Sequence, residues 1–187
     1  MICKKSILLT IMLFYSIFTI GQKQQLIGIG VIGEMNNNEK NTHTGYALSY
    51  ENQLSKNHGF EIGYNKRSVS YYYTLPVGGN DYPVRVKYNF VSLPLLYKFY
   101  NKIVNVSTGV NVDFLMGWKD VTKNSTTELI STSLNPNVYV GWYVKVGKPI
   151  SLTPKLLIEP EIHFNTLFSS SFSCYYGTAL KLKYRLW

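Results

Sequence analysis

Cysteine is scarce in this chain, with only Cys3 and Cys174 among 187 residues. Because Cys3 lies in a leader-like segment, the mature chain keeps one cysteine, which excludes an internal disulfide and a metal site built from two cysteines. Long apolar runs are also rare. After residue 20, no stretch approaches the roughly 20 consecutive apolar residues that a membrane-spanning helix needs. The composition therefore argues against a disulfide-rich scaffold and against a helical membrane protein.

The first residues have the layout of an export signal. Lys4 and Lys5 precede an apolar run from Ile7 to Ile20, which gives way to Gly21 and a polar segment. A positive start followed by a short apolar run is typical of a secretory signal peptide. We therefore expect residues 1–21 to be removed on export and residues 22–187 to form a single domain.

Acidic residues are few, with 10 Asp and Glu against 19 Lys and Arg and a net charge of +9. The basic residues are spread along the chain and do not form a stretch interleaved with aromatics, so a nucleic-acid partner is not expected. Outer-membrane lipids and the phosphates of lipopolysaccharide are better counterions for an exported protein. The sixteen tyrosines suit membrane interfaces, where each ring has one apolar and one wet end.

Residues of two kinds alternate over several long segments. From Ile103 to Phe114, the even-numbered residues are mostly valine and the odd-numbered ones are mostly polar or glycine. The same period of two returns over 138–147 and 177–186. This period predicts strands with two different faces. We expect eight strands, at 25–33, 44–54, 59–73, 84–99, 103–116, 135–147, 150–164 and 174–187.

The predicted connections differ in length. Three are tight and carry a lysine, namely 55–58, 101–102 and 148–149. Four are long and polar, namely 35–43, 75–83, 119–133 and 165–173. An even number of strands with short turns at one end and long loops at the other is typical of an antiparallel up-and-down transmembrane β-barrel. Its long loops would be extracellular and available to a protein partner.

Alternation alone does not decide which face is inside, because a soluble calycin-like barrel turns its apolar face inward. Five glycines share the polar parity, where a narrow interior leaves little room, and so do charges of both signs. We therefore expect a lumen filled by ion pairs. The predicted network consists of Glu51, Glu61, Asp113, Lys145, Glu159, Glu161, His163, Lys181, Lys183 and Arg185. A register with Glu159 opposite Lys181 would pair the glutamates with the cations of the last strand. In the fourth strand the apolar parity changes after Phe90, which predicts a bulge near Val91 that resets the face.

Some segments resemble a known family. Phe90–Tyr100, with Pro94 followed by two leucines, resembles a segment of the small outer-membrane β-barrel proteins of Bacteroidota, the PorT-like family. Residues 156–164 and the ending Tyr184-Arg185-Leu186 resemble the last two strands of that family. The resemblance implies an outer-membrane location and folding by the barrel assembly machinery. It implies no chemistry.

Three hypotheses of function follow. The favoured one is a non-enzymatic barrel with a packed lumen and a structural or partner-binding role, without cofactor, metal or nucleotide. A lipid A deacylase-like hydrolase would need a serine paired with His163 and an acidic orienter, and the nearest serines, Ser169 to Ser171, lie in a predicted loop. Glu159 and Glu161 could act as an acid and a base, but nearby cations favour neutralisation. The third hypothesis is a narrow channel or small-solute binder.

Overall fold

A computed structural model describes residues 24–36, 42–77, 79–121, 138–168 and 173–186. The expected signal peptide and most of the loop over 119–133 lie outside these residues. No helix in the described ranges is long and apolar enough to cross a membrane. The strands are β1 (Gln24–Asn36), β2 (His43–Gln53), β3 (His58–Val77), β4 (Asn80–Phe99), β5 (Asn105–Asp120), β6 (Val138–Gly147), β7 (Ile150–Ser151), β8 (Leu156–Leu167) and β9 (Ser173–Arg185).

The eight long strands form one closed antiparallel sheet. Each pairs with its neighbour in the order β6-β5-β4-β3-β2-β1-β9-β8, and β6 also pairs with β8. That last pairing, from Tyr143 opposite Asn165 to Gly147 opposite Glu161, joins the two ends of the sheet. Closure gives the eight long strands a neighbour on both sides over most of their described length, and the upper part of the β3–β4 hairpin extends beyond these pairings. The predicted eight-stranded up-and-down barrel is confirmed.

The two faces of the wall have opposite polarity. Apolar side chains of the strands point outward and are exposed, as in Ile29 (56%) and Leu95 (52%). Charged side chains point inward and are buried, as in Glu61 (2%) and Lys183 (2%). This is the reverse of a calycin-like barrel, in which the apolar face lines the interior. In water, apolar side chains on the outside would not stabilise the fold. An apolar solvent around the barrel accounts for the arrangement.

Glycines of the wall make room for lumen side chains. A Cβ added to Gly30 would lie 2.8 Å from Cγ of Lys181, and one added to Gly28 would lie 3.0 Å from Cγ of Lys183. At Gly177 it would lie 2.9 Å from Nε2 of His163. Glycine at these positions therefore leaves room for the lumen side chains and, at Gly30 and Gly177, for the backbone of the neighbouring strand.

The connection between β3 and β4 differs from the prediction. A long loop was expected over 75–83, but β3 continues to Val77, which pairs with Asn80 across a two-residue turn. Gly79 has φ 83°, a conformation that suits the tight hairpin turn. Gly, Asn and Asp therefore mark a turn at the tip of an extended hairpin, and the tyrosines before it continue the strand.

The seventh predicted strand also differs. Residues 150–164 were expected to form one strand, but Ile150–Ser151 form the short β7, which pairs with Leu157 and Ile158 at the start of β8. Pro154 lies in the intervening turn, where Oγ1 of Thr153 accepts hydrogen bonds from the backbone N–H of Lys155 and Leu156. Such a hydroxyl stabilises a turn against continued strand. The link from β6 to β8 is thus longer than the predicted pair 148–149.

The face of β4 is not reset. Register with β3 is the same on both sides of Phe90, so the even-numbered residues of β4 from Val84 to Lys98 point inward. The irregularity lies in the β4–β5 ladder, where Asn89 pairs with Gly117 and Phe90 with Leu115. The extra residue is Met116 on β5. The apolar residues before Val91 on β4 therefore line the lumen. The side chains that fill the lumen thus change along the barrel axis, from charged near the short turns to apolar near the long loops.

Candidate functional site

The lumen contains three layers between the short-turn end and the long-loop end. The lower cluster consists of Glu51, Glu61, Lys98, Lys145, Glu159, Glu161, Lys181 and Lys183. The upper cluster consists of Glu34, Arg67, Asp113 and His163. The apolar plug above it consists of Val69, Phe90, Leu115, Leu167 and Tyr175. Inward positions of β1 to β6, β8 and β9 supply these side chains, so all three layers depend on closure of the barrel.

Glu61 on β3 is the centre of the lower cluster. Its carboxylate accepts hydrogen bonds from Nζ of Lys145 at 2.7 Å and from Nζ of Lys181 at 2.9 Å. Lys98 and Lys183 lie at 3.8 and 3.9 Å. One carboxylate thus faces four ammonium groups from β4, β6 and β9. Since the cluster has four carboxylates and four ammonium groups, it is neutral only as a whole.

The part of the lower cluster nearest the short turns is formed by β2, β4, β8 and β9. Glu51 accepts hydrogen bonds from Lys98 at 2.8 Å and from Lys183 at 2.7 Å. Lys183 also pairs with Glu159. The Tyr100 hydroxyl, in the turn after β4, donates to Glu51 at 2.8 Å. Burial, together with the Glu51 carboxylate, raises the pKa of Tyr100, so the hydroxyl remains a donor.

A cavity of about 210 Å³ opens at this end of the barrel. Its lining includes Tyr100, Glu51, Glu159, Lys183 and Arg185. The mutually paired groups of the lower cluster form its inner wall, so the cavity stops where the ion pairs begin. It is a polar vestibule whose charged residues already have partners within the protein.

The upper cluster is organised around Arg67 on β3. Its guanidinium donates to Glu34 at 3.0 Å and to Ser92 at 2.8 Å, and it also pairs with Asp113. The planar guanidinium suits such a site because its donors point in fixed directions. Nε2 of His163 lies 3.1 Å from Glu34, so the histidine joins the cluster from β8.

Aromatic rings separate the charges from the long-loop end. The guanidinium carbon of Arg67 lies 4.8 Å from the ring centre of Tyr175 and 5.4 Å from that of Phe90. An arginine against aromatic faces gains cation–π attraction when it is removed from water. Leu115 and Leu167 complete the apolar plug, which packs above the upper cluster.

The structure brings nine of the ten predicted network residues into the lumen. Arg185 is the exception, because its side chain lies at the rim and donates to the backbone oxygen of Pro154. The predicted register of Glu159 opposite Lys181 is present. The side chains nevertheless pair diagonally, with Glu159 on Lys183 and Lys181 on Glu161 at 3.1 Å.

Three lumen charges were not in the predicted network. Glu34 was missed because β1 was expected to end at residue 33, although its parity in β1 is inward. Lys98 was missed beside apolar neighbours on β4. Arg67 was not named in the network, but it shares the polar parity of β3, which predicts its place in the lumen.

The site has few features of a hydrolase. His163 contacts the Glu34 carboxylate and stacks on Tyr143, with ring centres 5.5 Å apart. Its Nδ1 has no hydrogen-bond partner among the described residues, so no described serine hydroxyl reaches that nitrogen. Glu159 and Glu161 are each paired with ammonium groups. Those contacts favour neutralisation over acid and base roles.

Several solved structures share this fold. Ail, the attachment invasion locus protein of Yersinia pestis, is 11% identical with a TM-score of 0.52, over 88% of this chain and 99% of Ail. The outer membrane protein OprG from Pseudomonas aeruginosa is 11% identical with a TM-score of 0.51, over 89% and 98%. A major outer membrane protein from Thermus thermophilus is 13% identical with a TM-score of 0.52, over 87% and 99%. No family model and no curated protein matches the sequence. At such identities, these likenesses show the fold alone.

Proposed function

We propose that this chain is an integral outer-membrane β-barrel with a structural or partner-binding role and no enzymatic activity. The observation that carries the proposal is the polarity of the wall. Apolar side chains such as Ile29 and Leu180 cover the outside, while a neutral set of eight charged groups fills the lower lumen. A hydrocarbon solvent outside the barrel favours both features. Apolar side chains exposed to hydrocarbon cost no free energy, and charged groups are more stable in the lumen, where they pair with one another.

The proposal includes the route to the membrane. The leader 1–21 would be removed on export, and the barrel assembly machinery would insert the mature chain. The likeness of residues 90–100 to the PorT-like proteins of Bacteroidota supports this route. Residues outside the barrel at the long-loop end would offer surface to a protein partner.

Fractionation tests the location. Full-length protein expressed in a Gram-negative host should be recovered from outer membranes. Its intact mass should be that of a chain that begins after Gly21. It should migrate as a heat-modifiable band, because a closed barrel resists detergent until it is heated. Recovery from the soluble periplasmic fraction would contradict the location, and an intact Met1 would contradict the cleavage.

The channel alternative is disfavoured by the same contacts. In the lower cluster, carboxylates and ammonium groups from six strands meet across the lumen, and the apolar plug lies above them. An eight-stranded barrel encloses only enough space for such side chains. We therefore propose a closed lumen. The hydrolase alternative would require His163 to leave Glu34 or to receive a serine outside the described residues.

A further inference from the structure

The outer wall changes character sharply on β3, β4 and β5. From Phe99 up to Val91, the outward residues of β4 are apolar, and Leu95 and Tyr97 are more than half exposed. The next outward residues towards the long-loop end are Asn89 and Lys87. On β5, Val110 belongs to the apolar part. The boundary between hydrocarbon and headgroups therefore falls near Asn89 on this side of the barrel.

Two lysines lie side by side just above this boundary. Lys87 on β4 and Lys119 on β5 are direct register partners, which places their Cβ atoms about 5 Å apart. Like charges in that position destabilise a sheet. In the described part of the chain, neither ammonium forms an ion pair with a carboxylate. Nothing among these residues therefore offsets the repulsion, and an external anion would.

Neighbouring groups complete a small cradle. Gly117 lies opposite Asn89, and a Cβ added to it would meet no heavy atom within 4 Å, so the surface is open there. Oγ of Ser68 donates to Oδ1 of Asn89 at 2.9 Å. The amide nitrogen of Asn89 is thus left as a donor next to the two ammonium groups. Lys66, exposed on β3 opposite Val91, lies about 13 Å below Lys87 along the strand and is not part of this cradle.

Resting on the proposed outer-membrane location, we propose that Lys87, Lys119 and Asn89 bind a phosphate of lipopolysaccharide. The ligand must carry both phosphate and acyl chains, because the cradle borders the exposed apolar wall formed by Leu93 and Leu95. Lipopolysaccharide has both and occupies the outer leaflet, next to the end of the barrel opposite the short turns. Two ammonium groups at one phosphate form charge-assisted hydrogen bonds.

The test compares Lys87→Gln/Lys119→Gln with the matched variant Lys56→Gln/Lys155→Gln, which loses the same charge from exposed turns at the other end. Each folded protein is placed in neutral phospholipid vesicles, with or without lipopolysaccharide. We expect lipopolysaccharide to raise the unfolding temperature of the wild type and of the turn variant. The cradle variant should bind about 20-fold to 30-fold more weakly, because each lysine near an anionic surface contributes about 1 kcal/mol.

Five outcomes decide the proposal. Without lipopolysaccharide, the cradle variant should be at least as stable as the wild type, since it loses the like-charge pair. Equal binding by the cradle variant would overturn the proposal, and so would an equal loss in the turn variant. Equal stabilisation by phosphatidylglycerol vesicles, or full displacement by inorganic phosphate, would overturn the commitment to lipopolysaccharide. Failure of the barrel proposal is distinct, because all variants would then lack the heat-modifiable band.

Discussion

Neutralising Glu61 should destabilise the barrel more than any exposed charge change. Glu61→Gln keeps the shape of the side chain but leaves the lower cluster with four ammonium groups and three carboxylates. Lys145 and Lys181 each lose one of their two carboxylate partners, at 2.7 and 2.9 Å, so they share Glu161 alone, and the new amide presents N–H donors to them. Leaving a buried charge uncompensated costs about 3 to 5 kcal/mol.

Urea unfolding of the protein in detergent micelles, followed by tryptophan fluorescence and by the heat-modifiable band, measures this cost. At a slope of about 2 kcal/mol per molar, the loss corresponds to a midpoint lower by roughly 1.5 to 2.5 M. Asp81→Asn removes one carboxylate from an exposed position near the hairpin tip and serves as the matched control. Its effect should stay below about 1 kcal/mol.

A second substitution gives the sharper test. Glu61→Gln combined with Lys145→Met restores a neutral cluster of three carboxylates and three ammonium groups, and Glu161 keeps Lys181 as its partner. The double variant should therefore be more stable than Glu61→Gln alone. If the two losses simply add, or if Glu61→Gln costs less than about 1 kcal/mol, then the cluster does not act as a charge-balanced unit and the reasoning is refuted.

The remaining predictions concern the wall and the lumen. Val110→Arg, at an outward position in the middle of the apolar wall, should oppose folding into vesicles by about 2 to 4 kcal/mol, whereas Val138→Arg, near its upper boundary, should cost at most about 1 kcal/mol. Folding yields against urea check this, and equal tolerance of both would indicate that the wall does not face lipid. In planar bilayers, the purified protein should give no single-channel steps, and reproducible steps would contradict the closed lumen.

The sequence predicted the barrel well because period-two alternation encodes both strand and face. In the segments from Val106 to Phe114 on β5 and from Val138 to Val146 on β6, one set of alternate residues faces the lumen and the other faces the outside. A strand is the element whose side chains alternate with that period. Strand ends were less predictable. In β3, residues 75–77 continue a hairpin that pairs only with β4, and a polar turn at its tip has the same composition as a loop.

The partners within the lumen could not be predicted from parity. Glu61 and Lys145 are 84 residues apart and meet only because β3 and β6 face each other across a closed barrel. Register places Glu159 opposite Lys181, but cross-lumen partners draw each side chain to a diagonal neighbour. Parity shows which charges are inside. The choice of partner depends on closure and on the reach of each side chain.

On the inward face, glycines make the room in a narrow lumen that the long lysine side chains occupy. The aliphatic stems of Lys181 and Lys183 on β9 lie against Gly30 and Gly28 of β1. They occupy the space that a larger side chain at either glycine would take. Their ammonium groups then reach carboxylates on β2, β3 and β8. An alanine at Gly30 would place a methyl group in overlap with the carbonyl oxygen of Leu180, which is backbone and cannot swing away. The glycines of β1 are therefore required by the close approach of the β9 backbone as well as by the lysine stems beside them, and a thin wall leaves room for the charged layer.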